Sequence, residues 1–177
     1  MNLKILLQQK KEHILGRWFS LILETYPPDA ANFLKLEKDR FTNPVGYAIL
    51  AGTATLFDEV IQGTNWDRIS SALDSIIRIR AVQDFTPSQA IAFVFLLKNV
   101  VRDELKIKDS GYAVKDTAEL LEELLQFEAK IDGLASLAFD VYVKCCDDIN
   151  RIKAGEANVE RAMANRAMKT MRSTEEE

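Results

Sequence analysis

The feature that most constrains the fold is an apolar run at residues 90–97, which contains no polar side chain. A helix that is apolar on every side is buried on every side or lies in a membrane. Because a helix needs about 20 apolar residues to span a bilayer, this run is expected to lie in a protein core. Thr86 and Gln89 form a capping box, and Pro87 suits the first helical position. We therefore predict a central helix over residues 86–105.

Helix start signals and apolar residues at helical spacing predict several more helices. Asn43 followed by Pro44 is a strong start signal. Ala48 and Gly52 in the helix that follows are small and four residues apart, so a neighbouring helix can approach closely there. No segment has the pattern of a strand, and the predicted fold class is all-α. Besides the central helix, we predict helices over residues 3–26, 30–40 with Asp29 as the cap, 44–62 and 66–84, then a polar loop at residues 106–115 and a last helix opened by Asp116 and Glu119.

Length and charge exclude some classes of protein. A chain of 177 residues allows one domain, or one domain with an appendage. The formal net charge of −4 argues against nucleic acid as the main partner. The N-terminus does not resemble a signal peptide or a membrane anchor. Cys145 and Cys146 are adjacent and cannot join distant segments, so we expect a reducing, cytoplasmic location. We also expect no integral membrane segment.

Histidine is too scarce for the metal and catalytic sites that helical proteins commonly carry. His13 is the sole histidine, whereas a di-iron site in a helical bundle needs two Glu-x-x-His pairs. No group of residues has the spacing of a zinc site. Asp147 and Asp148 would disfavour a reactive thiolate at the cysteines before them. We predict a surface position for His13 and a protein that is not an enzyme, without catalytic residues, metal or cofactor.

Four aromatic residues from helices that are expected to meet are candidates for an apolar ligand pocket. They are Trp18, Tyr26, Phe41 and Phe93. Ligand pockets are mostly apolar and often lined by aromatic side chains. Aromatic residues at helical spacing are also the main components of ordinary cores, so ligand binding and core packing both stay open at this point.

The composition changes after Ile149, where apolar positions become sparse. We divide the chain into a helical domain at residues 1–150 and a projecting C-terminal helix with an acidic tail at residues 151–177. Ile152, Val159 and Met163 form a thin apolar stripe in the second part, which we call the C-terminal seam. Such a helix is marginal alone in water, so we predict that the seam binds a second copy or another protein. The alternative is that the helix folds back on its own domain.

Three groups of residues carry a resemblance to a known family. The groups are Leu7, Ile14, Trp18, Tyr26 and Phe33; the run Arg40-Phe41-Thr42-Asn43-Pro44-Val45-Gly46; and Thr86-Pro87-Ser88-Gln89-Ala90 with Phe93 and Leu97. Over about residues 1–145 the chain resembles the N-terminal domain of RsbR-type regulators, specifically the RsbRD N-terminal domain family. The resemblance implies a globin-like helical bundle without haem, a dimer, and a long helix that leads out of the domain towards an output domain.

The resemblance also implies a function, namely a regulatory input module of bacterial stress and partner-switching signalling. The lack of histidine in the middle of the chain agrees with a haem-free fold, because a globin iron needs a proximal histidine. No output domain follows before Glu177, so we expect a stand-alone, homodimeric sensor with a protein partner in a signalling pathway. Two alternatives are an accessory or adaptor protein that docks on a larger complex, and a binder of a small apolar ligand.

Overall fold

The computed structural model describes residues 2–37, 39–63, 65–105 and 114–175, with the side chains of residues 114–117 and 167–175 excepted. Within these residues the chain forms seven helices and no strand, which confirms the all-α class and the long C-terminal helix. The globin-like arrangement stays a prediction. The helices are α1 (Leu3–Gln9), α2 (Lys11–Leu23), α3 (Pro28–Leu36), α4 (Pro44–Gln62), α5 (Trp66–Val82), α6 (Pro87–Leu105) and α7 (Val114–Glu175).

The first predicted helix is two helices, because the chain leaves helical geometry at Lys10. The φ of −100° and ψ of 8° at this residue separate α1 from α2. Leu3 and Leu7 of α1 are buried in the core. At the break, Lys10 Nζ donates to the backbone oxygen of Glu104 at 2.7 Å. The prediction of one continuous helix was therefore wrong. Neither proline nor glycine marks the break in the sequence.

The second predicted helix is displaced and shorter than expected. It begins one residue before Asp29, which lies in the first turn and does not cap it. It ends at Leu36. Beyond this end, Asp39 Oδ1 accepts hydrogen bonds from the backbone N–H groups of Phe41 and Thr42, both at 2.9 Å. A short acidic side chain that binds its own following backbone favours a turn over a continued helix.

α4 and α5 pack closely at Gly52, as the small residues of α4 predicted. A Cβ atom at Gly52 would lie 2.7 Å from Ile76 Cδ1 and 3.3 Å from the backbone oxygen of Ala72. Ile49, Leu56 and other apolar residues of α4 are fully buried. The absence of a side chain at Gly52 is therefore what allows α5 to lie so near.

α6 begins as predicted, but it is not buried on every side. The Thr86 N–H donates to Gln89 Oε1 at 3.0 Å, and the Gln89 N–H donates to Thr86 Oγ1 at 3.4 Å, which confirms the capping box. α2, α5 and α7 pack against α6 and bury Phe93 and Leu97. Phe95 is 42% exposed, because the neighbouring helices leave its side of α6 uncovered. The expectation of complete burial was wrong.

α7 continues from the packed helices into the projecting segment without a break. Ile131, Ala138 and Cys145, seven residues apart, are buried along its inner side. Every described side chain from residue 151 to residue 166 is exposed. Gly155 does not interrupt the helix, because an interior glycine costs a helix only about 1 kcal/mol. The division of the chain at residue 150 stays a prediction. Of the predicted loop at residues 106–115, residues 106–113 lie outside the described residues, and residues 114 and 115 already belong to α7. The last helix therefore begins before Asp116, whose side chain also lies outside the described residues.

Two ion pairs fix the register of α6 against α7. Lys98 Nζ lies 2.6 Å from Asp132 Oδ1, and Arg102 Nη2 donates to Glu128 Oε2 at 2.6 Å. One helical turn forward on α6 corresponds to one turn back on α7, as antiparallel helices require. In each pair one side chain, Lys98 or Glu128, is shielded from water and its partner is exposed, so solvent screens both pairs in part.

Asn43 joins the end of α3 to the start of α4. The residue is buried, and its Oδ1 accepts a hydrogen bond from the Gly46 N–H at 2.8 Å, which confirms the predicted cap. Its Nδ2 also donates to the backbone oxygens of Leu34 at 3.0 Å and Glu37 at 2.8 Å. One side chain thus satisfies backbone groups of two helices, which the sequence pattern did not reveal.

We predict that Asn43→Ala lowers the free energy of unfolding by about 2–3 kcal/mol. The lost cap contributes roughly 1 kcal/mol, and carbonyl groups left buried without a partner cost roughly 1 kcal/mol or more. Asn43→Ser is the control, because serine restores the cap and not the two donors. In denaturant unfolding, the free energy of unfolding of Asn43→Ser should lie between those of Asn43→Ala and the native protein. Equal losses for Ala and Ser would contradict the capping contribution.

Gly52 offers a second test of the packing. Gly52→Ala should destabilise the protein by roughly 1–3 kcal/mol, because an added methyl group overpacks the contact with α5. Gly133 of α7 has no atom within 4 Å of an added Cβ, so Gly133→Ala should raise stability by about 0.5–1 kcal/mol through helix propensity. Thermal unfolding of both variants measures this difference. Shifts of the same sign would show that the close approach at Gly52 is not limiting.

Candidate functional site

A charged side chain lies in the core where α2, α5 and α6 meet. Arg80, in the last turn of α5, is 0% exposed. Its Nη2 donates to Thr25 Oγ1 at 3.0 Å and to the backbone oxygen of Gln89 at 3.1 Å. Its Cζ lies 4.2 Å from the ring centroid of Phe85 and 5.3 Å from that of Tyr26. We call Arg80, Tyr26, Phe85 and Phe93 the Arg80 cluster.

Several polar atoms of the Arg80 cluster have no hydrogen-bond partner. They are Nε and Nη1 of Arg80 and the hydroxyl of Tyr26. The hydroxyl is near the guanidinium, but without hydrogen-bond geometry. Burial raises the pKa of Tyr26, and the charge of Arg80 opposes that rise. Burial likewise lowers the pKa of Arg80. In the described part of the chain, no carboxylate forms an ion pair with Arg80.

The charge of Arg80 is compensated only in part. Burying an ion costs several kcal/mol in real proteins unless a partner repays it. Each aromatic ring near the guanidinium contributes a stabilisation of about 0.5–2 kcal/mol, and the carbonyl end of α5 contributes at most about 2 kcal/mol. Only one of the three guanidinium nitrogens has hydrogen-bond acceptors. Nε and Nη1 are enclosed so closely that the structure leaves no room beside them for a water molecule, so this part of the guanidinium has no hydrogen-bond acceptor.

Three of the four predicted pocket residues lie together in the core. The Trp18 indole N–H donates to the backbone oxygen of Phe93 at 2.7 Å, and the two rings stack with centroids 6.4 Å apart. Tyr26 packs against Phe85 at 5.2 Å. Phe41 is 90% exposed and lies apart from the other three. A role of these residues in ligand binding stays a prediction.

Phe41 lines an open groove between α4 and α5 instead. The groove has a volume of about 880 Å³. Small residues, among them Ala48, Ala51 and Ser71, make up much of its lining. Arg40 Cζ lies 5.1 Å from the ring centroid of Tyr47 at the same groove. An open groove of this kind suits a segment of another protein better than a small molecule, which usually binds in an enclosed pocket.

Apolar side chains are exposed on α6 and α7. Phe95, Leu121, Leu125, Phe139 and Val143 are each more than 40% exposed, and we call them the α6–α7 face. The four residues from α7 recur at intervals that place them along one side of that helix. Exposed apolar side chains grouped on one side of a helix can mark an interaction site. The face is therefore a candidate interface, although the exposed Asp132 lies between Leu125 and Phe139 on the same side of α7.

The C-terminal seam prolongs the buried side of α7. Ile152 and Val159 follow Cys145 at the same seven-residue spacing that relates the buried residues before it. Ile152, Val159 and Met163 are all more than half exposed. The stripe that α5 and α6 cover near the middle of α7 is thus uncovered farther along. The structure leaves the three predicted partner-binding residues accessible.

The remaining sequence candidates occupy ordinary positions. His13 is on the surface as predicted, and its Nδ1 lies 3.0 Å from Glu104 Oε2. Cys145 is buried, which raises the pKa of its thiol. Among the described residues, no three His, Cys, Asp or Glu side chains are grouped so that they could hold a metal ion. In the same part of the chain, no helix combines the length and the apolar character that a membrane crossing needs.

Arg80 is the site residue that sequence reasoning missed, although a signal was present. Ile69, Leu73 and Ile76 of α5 form its buried stripe, and Arg80 occupies the next position of that stripe, four residues after Ile76. Arg78 nearby is on the surface, where it pairs with Asp74 at 3.0 Å. A charged residue in register with an apolar stripe was the available signal.

Comparison with protein families gives a match over most of the chain. A family model described as the RsbT co-antagonist protein rsbRD N-terminal domain matches residues 12–156. The match includes the Arg80 cluster, the α6–α7 face and the first residue of the C-terminal seam. It confirms the resemblance found in the sequence. No curated protein and no solved structure matches the chain.

The unpartnered hydroxyl of Tyr26 leads to a test of the core. Removing a buried hydroxyl that has no partner relieves a desolvation penalty, so Tyr26→Phe should leave stability unchanged or raise it. Tyr142→Phe is the matched control, because its hydroxyl donates to the backbone oxygen of Phe85 at 2.8 Å. Its loss should cost about 1 kcal/mol. Equal destabilisation in denaturant unfolding would mean that the Tyr26 hydroxyl has a partner.

Proposed function

Because the chain belongs to the family of RsbT co-antagonist protein rsbRD N-terminal domains, we propose that it is a sensor or regulatory input module of bacterial stress signalling. In this proposal the protein is cytoplasmic, is not an enzyme, acts as a stand-alone homodimer, and controls a protein partner in a signalling pathway. The family match supports the regulatory role. The uncovered apolar surfaces support the dependence on a partner.

The observation that carries the proposal is the uncovered apolar stripe of α7. A stripe that is buried up to Cys145 and exposed at Ile152, Val159 and Met163 needs a cover outside its own helices. A second copy offers an identical stripe, and two copies of one surface related by a twofold axis form a closed interface. We therefore propose that the C-terminal seams of two copies pack together and form the dimer interface.

The same helices offer a route for a signal. α7 is continuous, so a change in its packing within the body moves the projecting segment as well. The ion pairs Lys98–Asp132 and Arg102–Glu128 couple α6 to α7. A shift of α6 would carry α7 with it, or would break these pairs. The sides of the projecting segment that the seam does not occupy are the proposed contact with the signalling partner.

Hydrogen exchange of the full chain over a series of protein concentrations tests the proposal. Amide protection at residues 151–168 should rise with concentration, because the dimer orders the projecting helix. Val159→Asp with Met163→Asp should remove that rise, since charge in the seam opposes association. The control is Ala154→Asp with Ala157→Asp, two exposed positions on another side of α7, which should retain it.

Native mass spectrometry of the same samples reports the oligomer directly. A dimer that is weakened by the seam variant and not by the control is the expected result. A monomer at every concentration, with residues 151–168 fully protected, would contradict the homodimer and favour a helix that folds back. A monomer without protection would favour the adaptor alternative, in which another protein covers the seam.

A further inference from the structure

Five residues share one side of the projecting part of α7, and two of them are charged. Glu156 lies three residues before Val159, and Arg166 lies three residues after Met163, so both charges are in register with the C-terminal seam. All five side chains are exposed to solvent. We call Ile152, Glu156, Val159, Met163 and Arg166 the seam stripe. It is an apolar stripe that carries an acid towards one end and a base at the other.

The seam stripe has the spacing of a helix that packs lengthwise on another helix. Its members follow one another at intervals of four, three, four and three residues, which is the alternation found in the seven-residue repeat of paired helices. Charged residues at such positions reduce the stability of a helix pair but select its register and its orientation. The order of the two charges therefore restricts how two copies of the seam can pair.

Only an antiparallel pair brings opposite charges together. If a twofold axis passes beside residue 161, Glu156 of one copy lies opposite Arg166 of the other, because each is five residues from the axis. Val159 then lies opposite Met163, each two residues from the axis. In a parallel pair without axial offset, every residue lies opposite its own copy, so acid faces acid and base faces base. We propose that the two seams pair in the antiparallel orientation, with two Glu156–Arg166 ion pairs on either side of a core of Val159 and Met163.

The charges discriminate between the two orientations more than the apolar contacts do. Both orientations bring together two valines and two methionines, so the buried apolar area is similar. An exposed ion pair contributes little by itself, but the antiparallel pair has two attractions where the parallel pair has two repulsions. Glu160 beside the stripe meets its own copy near the axis, where it is exposed and its repulsion is screened by solvent. The antiparallel orientation rests on the proposed function, because it presupposes that two seams form the dimer.

The antiparallel orientation places the two packed bodies at opposite ends of the paired segment. Residue 150 of one copy lies level with residue 172 of the other, so the two residues numbered 150 are about 33 Å apart along the helix axis. A parallel pair would instead hold the two bodies side by side. The antiparallel dimer therefore leaves the α6–α7 face of each copy accessible to another protein.

Charge reversal in the full chain tests the pairing, with native mass spectrometry over a series of protein concentrations as the measurement. Glu156→Arg and Arg166→Glu should each weaken the dimer roughly tenfold, because two attractions become two repulsions. Both substitutions in one chain should restore the native dissociation constant to within about threefold, since the ion pairs form again with their charges exchanged. Arg161→Glu is the matched control, because it makes the same change of charge on the opposite side of α7, and it should leave the dimer unchanged.

A distance measurement reports the orientation directly. Asn150→Cys in a Cys146→Ser background places one spin label at an exposed position of each copy, whereas Cys145 is buried. Pulsed electron paramagnetic resonance should give a separation of at least about 33 Å between the labels of an antiparallel dimer. In a parallel pair the labels lie at the same level, no farther apart than roughly 25 Å, because packed helices are about 10 Å apart.

Two results would overturn the antiparallel pairing and leave the proposed dimer intact. One is a dimer whose dissociation constant is unchanged by either single charge reversal. The other is a label separation below about 25 Å. A monomer at every concentration would overturn the pairing and the proposed homodimer together, so the two failures are distinguishable. Recovery of the dimer in the doubly reversed variant, with the long label separation, is the result that supports the pairing.

Discussion

Three helices meet at Phe93, and the packing of the whole protein depends on that meeting. The oxygen of Phe93 accepts the indole N–H of Trp18 from α2, and its ring lies under the guanidinium of Arg80 from α5. A buried indole N–H needs an acceptor. This single polar contact therefore fixes both the position of α2 along α6 and its rotation relative to α6. Apolar packing alone would permit sliding by a turn. Directed polar contacts within the core make one arrangement preferable to its neighbours.

Local signals predicted much of the fold, and tertiary contacts determined what they did not predict. The starts at Asn43 and Thr86 depend on side chains within three residues, so the sequence displays them. At the break, Lys10 binds the backbone oxygen of Glu104, which is remote in the chain, and no local residue signals the break. The exposure of Phe95 reflects how many helices surround α6. An apolar run shows what can be buried, not how many neighbours are available.

The candidate sites were predictable to a smaller degree. Trp18 and Phe93 were expected to meet because both lie on apolar stripes of long helices. Phe41 precedes its helix, and periodicity says nothing about a side chain there, so its separation from the others could not be foreseen. Arg80 was overlooked since a charged residue is ordinarily assigned to the surface. Only its register with the stripe of α5 distinguishes it from Arg78.

The length of α7 gives the protein a mechanical property. At 1.5 Å per residue, the part of α7 beyond residue 150 extends about 37 Å from the packed helices. A tilt of about 5° at residue 150, where the packed part of α7 ends, would displace the far end by roughly 3 Å, given that length. A side-chain rearrangement too small to alter the fold is thereby converted into a movement as large as a hydrogen bond is long. The projecting part of α7 can thus amplify small changes in the packing of the helices that hold it.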